Sequence, residues 1–230
     1  MDRYRHEYKY ILDSGQRAIL MMKINKMMKP DPNAGSEGSY IIRSLYFDDL
    51  YDTCFYQNES GTDPRAKYRI RYYNDDTSFI RLEKKIKRRG MTLKHSCMLS
   101  SDEAMMLSSG AFPEITSEMP AEKSRILSEM KLRGLIPKVI VTYKRIPFIY
   151  SAGNVRVTFD SEITSSDETG KFITRGYRER PVLPPGKSVL EVKWDELLPL
   201  HIKRIIQLDT LRWSTFSKYY TCRLVGYQEV

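Results

Sequence analysis

Three Glu-x-Lys triplets stand out among the residues that could do chemistry: Glu7 to Lys9, Glu83 to Lys85, and Glu191 to Lys193. If each triplet lies in a β-strand, its carboxylate and its ammonium group point to the same face, because side chains alternate between two faces. Carboxylate oxygens bind Mg²⁺ and Mn²⁺, whereas Lys and Arg neutralise phosphate oxygens. The triplets therefore indicate a site for a complex of a divalent metal with a polyphosphate.

Basic residues also alternate with apolar ones in two neighbouring runs, from Lys67 to Tyr72 and from Phe79 to Lys87. The turn signal from Asn74 to Thr77 joins them, so they predict a hairpin with one charged face. A solvated face of this kind is costly, because like charges repel along a strand and across to its partner. Since the pattern recurs in about eight predicted strands, a bound polyanion is favoured over a solvated surface.

The charged residues on one face of the predicted strands form a single set of candidates. They are Arg5, Glu7, Lys9, Arg43, Lys67, Arg69, Arg71, Arg81, Glu83, Lys85, Lys87, Lys94, Arg145, Arg156, Asp160, Glu191 and Lys193. Carboxylates in a groove would repel a nucleic-acid backbone, so nucleic acid is not the predicted partner. The basic run from Lys84 to Arg89 does not change this prediction, because the alternation places it within the hairpin.

Composition supports an anionic partner. The 230 residues carry 38 Lys and Arg against 29 Asp and Glu, a formal net charge of +9. The three cysteines show no paired spacing, which is typical of a reducing compartment and gives no zinc motif. We expect no membrane span, since apolar runs stay below the roughly 18 residues needed, and no signal peptide. Together these features predict a cytoplasmic protein.

The elements that must position these charges are mainly strands. Period-two alternation predicts them at residues 5–12, 40–47, 67–72, 79–87, 91–99, 137–145, 154–160 and 188–194, with a weaker one at 171–176. Helices are predicted within 14–29, 101–134 and 197–225, and a short one around 50–57. Strands and helices do not alternate regularly, which favours an α+β fold with an antiparallel sheet. A sheet of about eight such strands can close into an antiparallel eight-stranded β-barrel, with a polar, basic lumen and helices covering its apolar outer face. No linker divides the chain, so residues 1–230 are predicted to be one domain.

Seven motifs, taken together, resemble a known family. They are Glu7-Tyr8-Lys9-Tyr10, Ser44-Leu45-Tyr46-Phe47-Asp48, Lys67-Tyr68-Arg69-Ile70-Arg71, Glu83-Lys84-Lys85, Val155-Arg156-Val157-Thr158-Phe159-Asp160, Leu190-Glu191-Val192-Lys193 and Phe216-Ser217-Lys218-Tyr219. In this order, over nearly the whole chain, the sequence resembles the polyphosphate polymerase domain of the vacuolar transporter chaperone (VTC) family. That family belongs to the triphosphate tunnel metalloenzymes, which are related to the CYTH phosphatases.

The resemblance implies that the terminal phosphoryl group of ATP, or of another triphosphate, is transferred to a growing polyphosphate chain with Mn²⁺ or Mg²⁺. The implied catalytic phosphate contacts are Lys9, Arg69, Arg71, Lys85, Arg145, Arg156 and Lys218. Further substrate-binding residues are predicted to be Arg43, Lys67, Lys94, Lys193 and Ser217, with Arg65 as an alternative to Lys67. Glu191 is the implied main metal ligand, and Glu83 and Glu7 are secondary ones. The resemblance leaves open whether the protein has a membrane partner protein.

The sequence departs from the family pattern in two places. The CYTH pattern begins Glu-x-Glu-x-Lys, but Arg5 replaces the first Glu, which favours the polymerase branch over the hydrolytic one. Thr215 stands where some relatives carry an additional lysine. Two rival functions therefore stay open: a tunnel triphosphatase acting on inorganic triphosphate or nucleotides, and a non-catalytic polyphosphate-binding protein.

Overall fold

The computed structural model describes residues 4–207 and 211–227, and these contain ten β-strands and six α-helices. The strands are β1 (His6–Leu12), β2 (Lys29–Pro30), β3 (Tyr40–Asp48), β4 (Arg65–Tyr73), β5 (Asp76–Arg88), β6 (Met91–Leu99), β7 (Ile136–Tyr150), β8 (Val155–Ser166), β9 (Arg180–Pro181) and β10 (Ser188–Trp194). The helices are α1 (Ser14–Met27), α2 (Thr53–Glu59), α3 (Ser101–Ser108), α4 (Ala121–Leu132), α5 (Leu200–Ile206) and α6 (Lys218–Tyr227). Within the described residues, every helix is too short or too polar to cross a bilayer.

All ten strands belong to one antiparallel sheet. Eight of them follow the order β1-β10-β8-β7-β3-β4-β5-β6, while β2 pairs with β7 and β9 with β8. Backbone hydrogen bonds of 2.9 Å in both directions join Arg5, just before β1, to Thr92 in β6. The sheet thus curls until its first and last strands meet. The predicted α+β fold, an antiparallel eight-stranded barrel with helices packed on its outside, is confirmed.

The outer face of the sheet is apolar and lies under helices, as the alternation predicts. Tyr68 and Ile70 of β4 and Leu82 of β5 point outward and are fully buried under α3 and α4. On the opposite side, Phe159 of β8 and Leu190 of β10 are fully buried in a second cluster with α1 and α5. Full burial of one large apolar side chain contributes about 1.5–3 kcal/mol, so these clusters hold the helices on the sheet and turn the charged face inward.

The last helix does not cover the outside, which corrects the expectation for residues 197–225. The ring of Tyr219 in α6 lies 5.3 Å from that of Tyr46, and Tyr46 faces the concave side beside Arg69 in the register of β3 and β4. The ammonium group of Lys218 lies 4.6 Å above the ring of Tyr143. Helix α6 therefore packs on the concave side of the sheet and contributes directly to the space enclosed there.

Asp48, the last residue of β3, fixes two helices at this end of the barrel. Its fully buried carboxylate accepts backbone hydrogen bonds from Cys54 at 2.8 Å and Phe55 at 3.0 Å, which sets the start of α2. It also accepts a hydrogen bond from the Tyr219 hydroxyl, which ties α6 to the same point. Unpaired N–H groups at a helix start need such acceptors. Asp48 therefore links β3, α2 and α6 at one end of the barrel.

The weakly predicted strand at 171–176 is wrong. A 3₁₀ turn spans Thr169–Lys171, and the Phe172 N–H bonds locally to the Thr169 carbonyl at 3.1 Å instead of to a neighbouring strand. Phe172 is fully buried, with its ring 5.0 Å from Tyr72 on the outer face of β4. The apolar signal at 171–176 therefore comes from one buried aromatic side chain. The chain pairs with β8 only later, at the two-residue strand β9.

Candidate functional site

A cavity, partly open to solvent, lies between the concave face of the sheet and the segment that leads into α6. Ten basic side chains line it against two carboxylates. The basic residues are Lys9, Arg65, Lys67, Arg69, Arg71, Lys85, Lys87, Arg145, Lys193 and Lys218, and the carboxylates are Glu7 and Glu191. A cleft lined by one sign of charge focuses the field and concentrates anions.

The register of β1 and β10 aligns two of the Glu-x-Lys triplets side by side. Glu7 lies opposite Lys193, and Lys9 lies opposite Glu191, so acids and bases alternate in a checkerboard. Opposite charges directly across an antiparallel pair stabilise the pairing. The Lys85 ammonium group of β5 reaches Glu7 at 2.7 Å across the closure of the barrel. The same residues that line the cavity thus hold its walls together.

Both glutamates in the cavity are ionised. Burial alone would raise the pKa of Glu7, but Lys85 and Lys9 lower it to about 2. Burial likewise opposes ionisation of Glu191, yet Lys193, Lys9 and Arg145 hold its pKa well below the usual range. The Lys9 ammonium group lies 2.8 Å from Glu7 and 3.9 Å from Glu191, so one base bridges the two carboxylates.

A third carboxylate, Asp160, lies beneath the cavity surface and positions two bases from different elements. It is fully buried and accepts two hydrogen bonds from the Arg145 guanidinium of β7, at 2.6 and 2.7 Å. The Lys218 ammonium group at the start of α6 lies 2.6 Å from the same carboxylate. Arg145 also reaches Glu191 at 3.1 Å. Asp160 therefore fixes α6 to the barrel wall with both bases aimed at the cavity.

Glu83 plays the same part on the opposite wall. Its side chain is 1% exposed and accepts from Arg69 at 2.6 Å and from Lys94 at 2.9 Å, with Arg71 at 4.0 Å. Burial would raise the pKa of Glu83, but Arg69, Arg71 and Lys94 hold it well below its usual value. Glu83 does not line the cavity. Its oxygens are enclosed by bases, so the structure brings Glu83 to the bases and not to the cavity lining, and its role as a metal ligand stays a prediction.

Lys67 lies where β4 meets the loops that close one end of the cavity. Its ammonium group donates to the Asn58 side-chain oxygen at 2.5 Å and to the Ser217 hydroxyl at 2.6 Å. Burial, together with the nearby charges of Lys9 and Lys85, keeps the pKa of Lys67 well below its usual value. These hydrogen-bond partners are neutral, so a bound anion would supply the negative charge that favours protonated Lys67.

Most of the predicted site residues line this one cavity, but three of the bases do not. Arg43 lies on the outer face of β3, bonded to Asp75 at 2.7 Å and to Glu179 at 3.2 Å, so its predicted place in the lumen is wrong. Arg156 shares the row of Lys193, but its guanidinium is bonded to Asp31 at 2.7 Å. Lys94, 46% exposed, is bonded to Glu83.

Three cavity features escaped prediction. The Tyr46 hydroxyl accepts a hydrogen bond from Arg69 at 2.8 Å, and the Tyr143 hydroxyl accepts one from Arg71 at 3.1 Å. Asp160 was among the predicted same-face charges, but its ion pairs with both Arg145 and Lys218 were not predicted. The tyrosines look like ordinary strand residues in the sequence. The register could have found Tyr46, which lies opposite Arg69, but it gives no such signal for Tyr143, which lies opposite Ile42.

We expect Lys193 to make the affinity of the cavity for an anion depend on pH. Burial lowers its pKa to about 8, although Glu191 and Glu7 oppose this. A base with a lowered pKa loses its charge as the pH rises through that value, so affinity for an anion should fall above about pH 8. We expect tripolyphosphate binding to weaken by up to roughly tenfold per pH unit there. Calorimetry across this range measures the slope.

The matched control for this pH dependence is Lys193→Arg, because an arginine keeps its charge throughout the range. That variant should bind tripolyphosphate with a flatter dependence on pH above about 8. An unchanged slope in Lys193→Arg would show that another group causes the loss of affinity.

The cavity residues fit a metal that arrives with a phosphate ligand. In the described part of the chain, no three Asp, Glu, His or Cys side chains gather to hold a metal unaided. Magnesium-type ions are commonly held by one or two carboxylates together with substrate phosphates and waters. Glu7 and Glu191 supply two such carboxylates, ionised and joined through Lys9.

Fold and cavity together define the class: an antiparallel barrel with a cation-lined lumen. The sequence matches the VTC domain family over residues 4–227. The chain therefore belongs to that family, which confirms the resemblance drawn from the seven motifs.

Solved structures share this fold at low sequence identity. A candidate adenylyl cyclase from Hippeastrum, reported to have a dominant triphosphatase activity, is 12% identical with a TM-score of 0.57, over 98% of this chain and 96% of the other. A candidate adenylate cyclase from Bacillus halodurans is 15% identical with a TM-score of 0.53, over 90% and 87% of the two chains. At these identities the likeness concerns the fold alone. No curated protein sequence matches the chain.

Proposed function

We propose that this protein is an ATP-dependent polyphosphate polymerase that transfers the terminal phosphoryl group of a nucleoside triphosphate to a polyphosphate chain in its lumen. The observation that carries the proposal is the ten-to-two excess of bases over carboxylates in one enclosed cavity. A single phosphate would engage few of these bases, whereas a chain of phosphates can engage bases on both walls. Membership of the VTC domain family supports the same function.

The lumen side chains act in this proposal by positioning and electrostatics, which dominate phosphoryl transfer. Arg69 and Arg71 on one wall, and Arg145 and Lys218 on the other, would hold the phosphates in line. Their charges stabilise the negative charge that develops on the transferred group, and their buried carboxylates fix them beforehand. Glu7 and Glu191 would hold a divalent ion, whose charge would neutralise phosphate oxygens.

The ionisation of Glu7 and Glu191 favours transfer to a phosphate over general-base activation of water. A carboxylate with a pKa of about 2, as Glu7 has, is a weak general base at neutral pH. A phosphate acceptor needs no base, because its oxygen is already anionic. Arg5, which replaces an acidic residue of the hydrolytic pattern, is bonded to Asp195 at 2.8 Å, so it adds no carboxylate to the lumen.

A tunnel triphosphatase is the second candidate. It is favoured by the fold shared with the Hippeastrum protein, whose reported dominant activity is that of a triphosphatase. When ATP is the donor, ADP leaves in both reactions and only the acceptor differs, being a phosphate chain in one and water in the other. The described cavity would hold the triphosphate with the same bases in either case.

The product of ATP turnover distinguishes the candidates. With ATP and Mn²⁺ or Mg²⁺, the proposed polymerase should convert terminal phosphate into chains that are resolved by gel electrophoresis and by ³¹P NMR. Orthophosphate in amounts equal to the ADP formed, without chains, would establish the triphosphatase instead. Tight polyphosphate binding without ATP turnover in the presence of either metal would show that the protein is a non-catalytic polyphosphate-binding protein. Assays without the metal, with EDTA present, provide the control.

A further inference from the structure

Trp213 is the one aromatic residue in the described cavity lining that stays exposed. Its side chain is 58% exposed, whereas Tyr46, Tyr143, Phe216 and Tyr219, which also line the cavity, are at most 8% exposed. Aromatic side chains gain most of their stabilising effect from burial. An indole left open beside a cluster of bases is therefore available to a ligand that has both an anionic part and a flat apolar part.

The segment that carries Trp213 is fixed to the bases of the cavity. Trp213 forms a backbone bridge with Tyr10 of β1, and the Ser214 N–H donates to the Lys9 carbonyl at 2.9 Å. The Lys9 ammonium group donates to the Phe216 carbonyl at 3.0 Å. The backbone of Trp213 and Ser214 thus runs beside β1, which places the residue that carries the indole next to Lys9.

We propose that Trp213 is a stacking platform for the base of a nucleoside triphosphate whose phosphates lie among the lumen cations. This inference rests on the proposed function, since it assigns the donor's base a place at the cavity wall. Stacking on an aromatic ring tolerates any base, because every base has a π face. The site therefore prefers nucleoside triphosphates to inorganic triphosphate, and it discriminates little among the four bases.

The test compares two probes that share a triphosphate but differ in the base. Calorimetry measures the dissociation constants of ATP and of inorganic tripolyphosphate for the wild type, Trp213→Ala, Trp213→Phe and Tyr51→Ala. We expect Trp213→Ala to weaken ATP roughly tenfold and to leave tripolyphosphate within about twofold. Trp213→Phe should keep most of the affinity for ATP. Tyr51→Ala, which removes an aromatic ring that is 84% exposed on a turn, should change neither constant.

Indole fluorescence provides an independent readout. The chain has two tryptophans, and Trp194, 7% exposed, stacks on His6. ATP should quench the wild-type fluorescence while tripolyphosphate does not, and the quench should disappear in Trp213→Phe.

Several results would overturn the inference. Equal weakening of ATP and tripolyphosphate in Trp213→Ala would show that the residue only supports the segment beside Lys9. Unchanged ATP affinity would show that the base lies elsewhere. If the wild type binds neither probe, the proposed function fails and the inference fails with it. If the wild type binds both and only the Trp213 readouts fail, the proposed function stands alone.

Discussion

Replacing Arg69 by alanine should lower the rate of phosphoryl transfer by about 100-fold or more, the usual cost of removing one electrostatic stabiliser of a transition state. Arg69 lies between Glu83, at 2.6 Å, and the Tyr46 hydroxyl, at 2.8 Å, and it lines the cavity. Its charge is therefore held in place before the ligand binds. Single-turnover assays with ATP and metal measure the rate, and thermal melting monitors folding.

The loss must be separated from the cost of leaving Glu83 buried with fewer bases around it. The double variant Arg69→Ala/Glu83→Gln removes both charges of this pair, so a rate that stays low in it would show that the loss does not come from a poorly paired Glu83. Arg125→Ala, on an exposed part of α4 and paired with Glu122 at 2.9 Å, is the matched control and should keep full activity. Full activity in Arg69→Ala would contradict the proposed role of this wall.

Replacing Asp160 by asparagine should destabilise the protein by about 3–5 kcal/mol, the range for breaking a buried ion pair by removing one partner. Asp160 is fully buried and holds both Arg145, at 2.6 Å, and Lys218, at 2.6 Å. The neutral amide leaves those two cations facing each other. Urea unfolding measures the change in the free energy of unfolding.

Ligand provides the second readout for this variant. A polyphosphate that binds the folded state would compensate the freed cations, so it should stabilise Asp160→Asn more than it stabilises the wild type. Asp102→Asn, at an exposed position in the first turn of α3, is the matched control and should cost less than about 1 kcal/mol. A similar small cost for Asp160→Asn would refute its structural role.

Period-two alternation predicted the strands and the direction in which most of them face, because one side of this sheet is charged and the other apolar. It failed for β3, where both sides are buried. Tyr40, Ile42 and Tyr46 face the concave side, while Leu45 and Phe47 face outward. The single basic residue in that strand, Arg43, was therefore a misleading guide to the lumen. The position of α6 was equally hidden, because its residues contact strands far away in sequence.

The sequence predicted which residues line the candidate site better than it predicted the ion pairs that they form. Glu7, Lys9 and Glu191 lie in one cavity because the register of β1 and β10 brings together two triplets that the sequence had already marked. The enclosure of Glu83 by Arg69 and Lys94 depends on how long side chains fold back over a carboxylate. Arg156 faces the predicted side, but Asp31, in a loop remote in sequence, bonds to its guanidinium at 2.7 Å. Strand periodicity carries no information about either contact.

Both glutamates of the described lumen already hold at least two bases each, so an anion that enters must exchange partners instead of filling vacant charges. An isolated anion gains little from such an exchange. When one phosphate of a chain has bound, however, the next is tethered beside further bases, and its effective concentration reaches the millimolar range. Under the proposed function, avidity should then grow with every linked phosphate, and we expect the paired charges of the lumen to favour long phosphate chains over short ones.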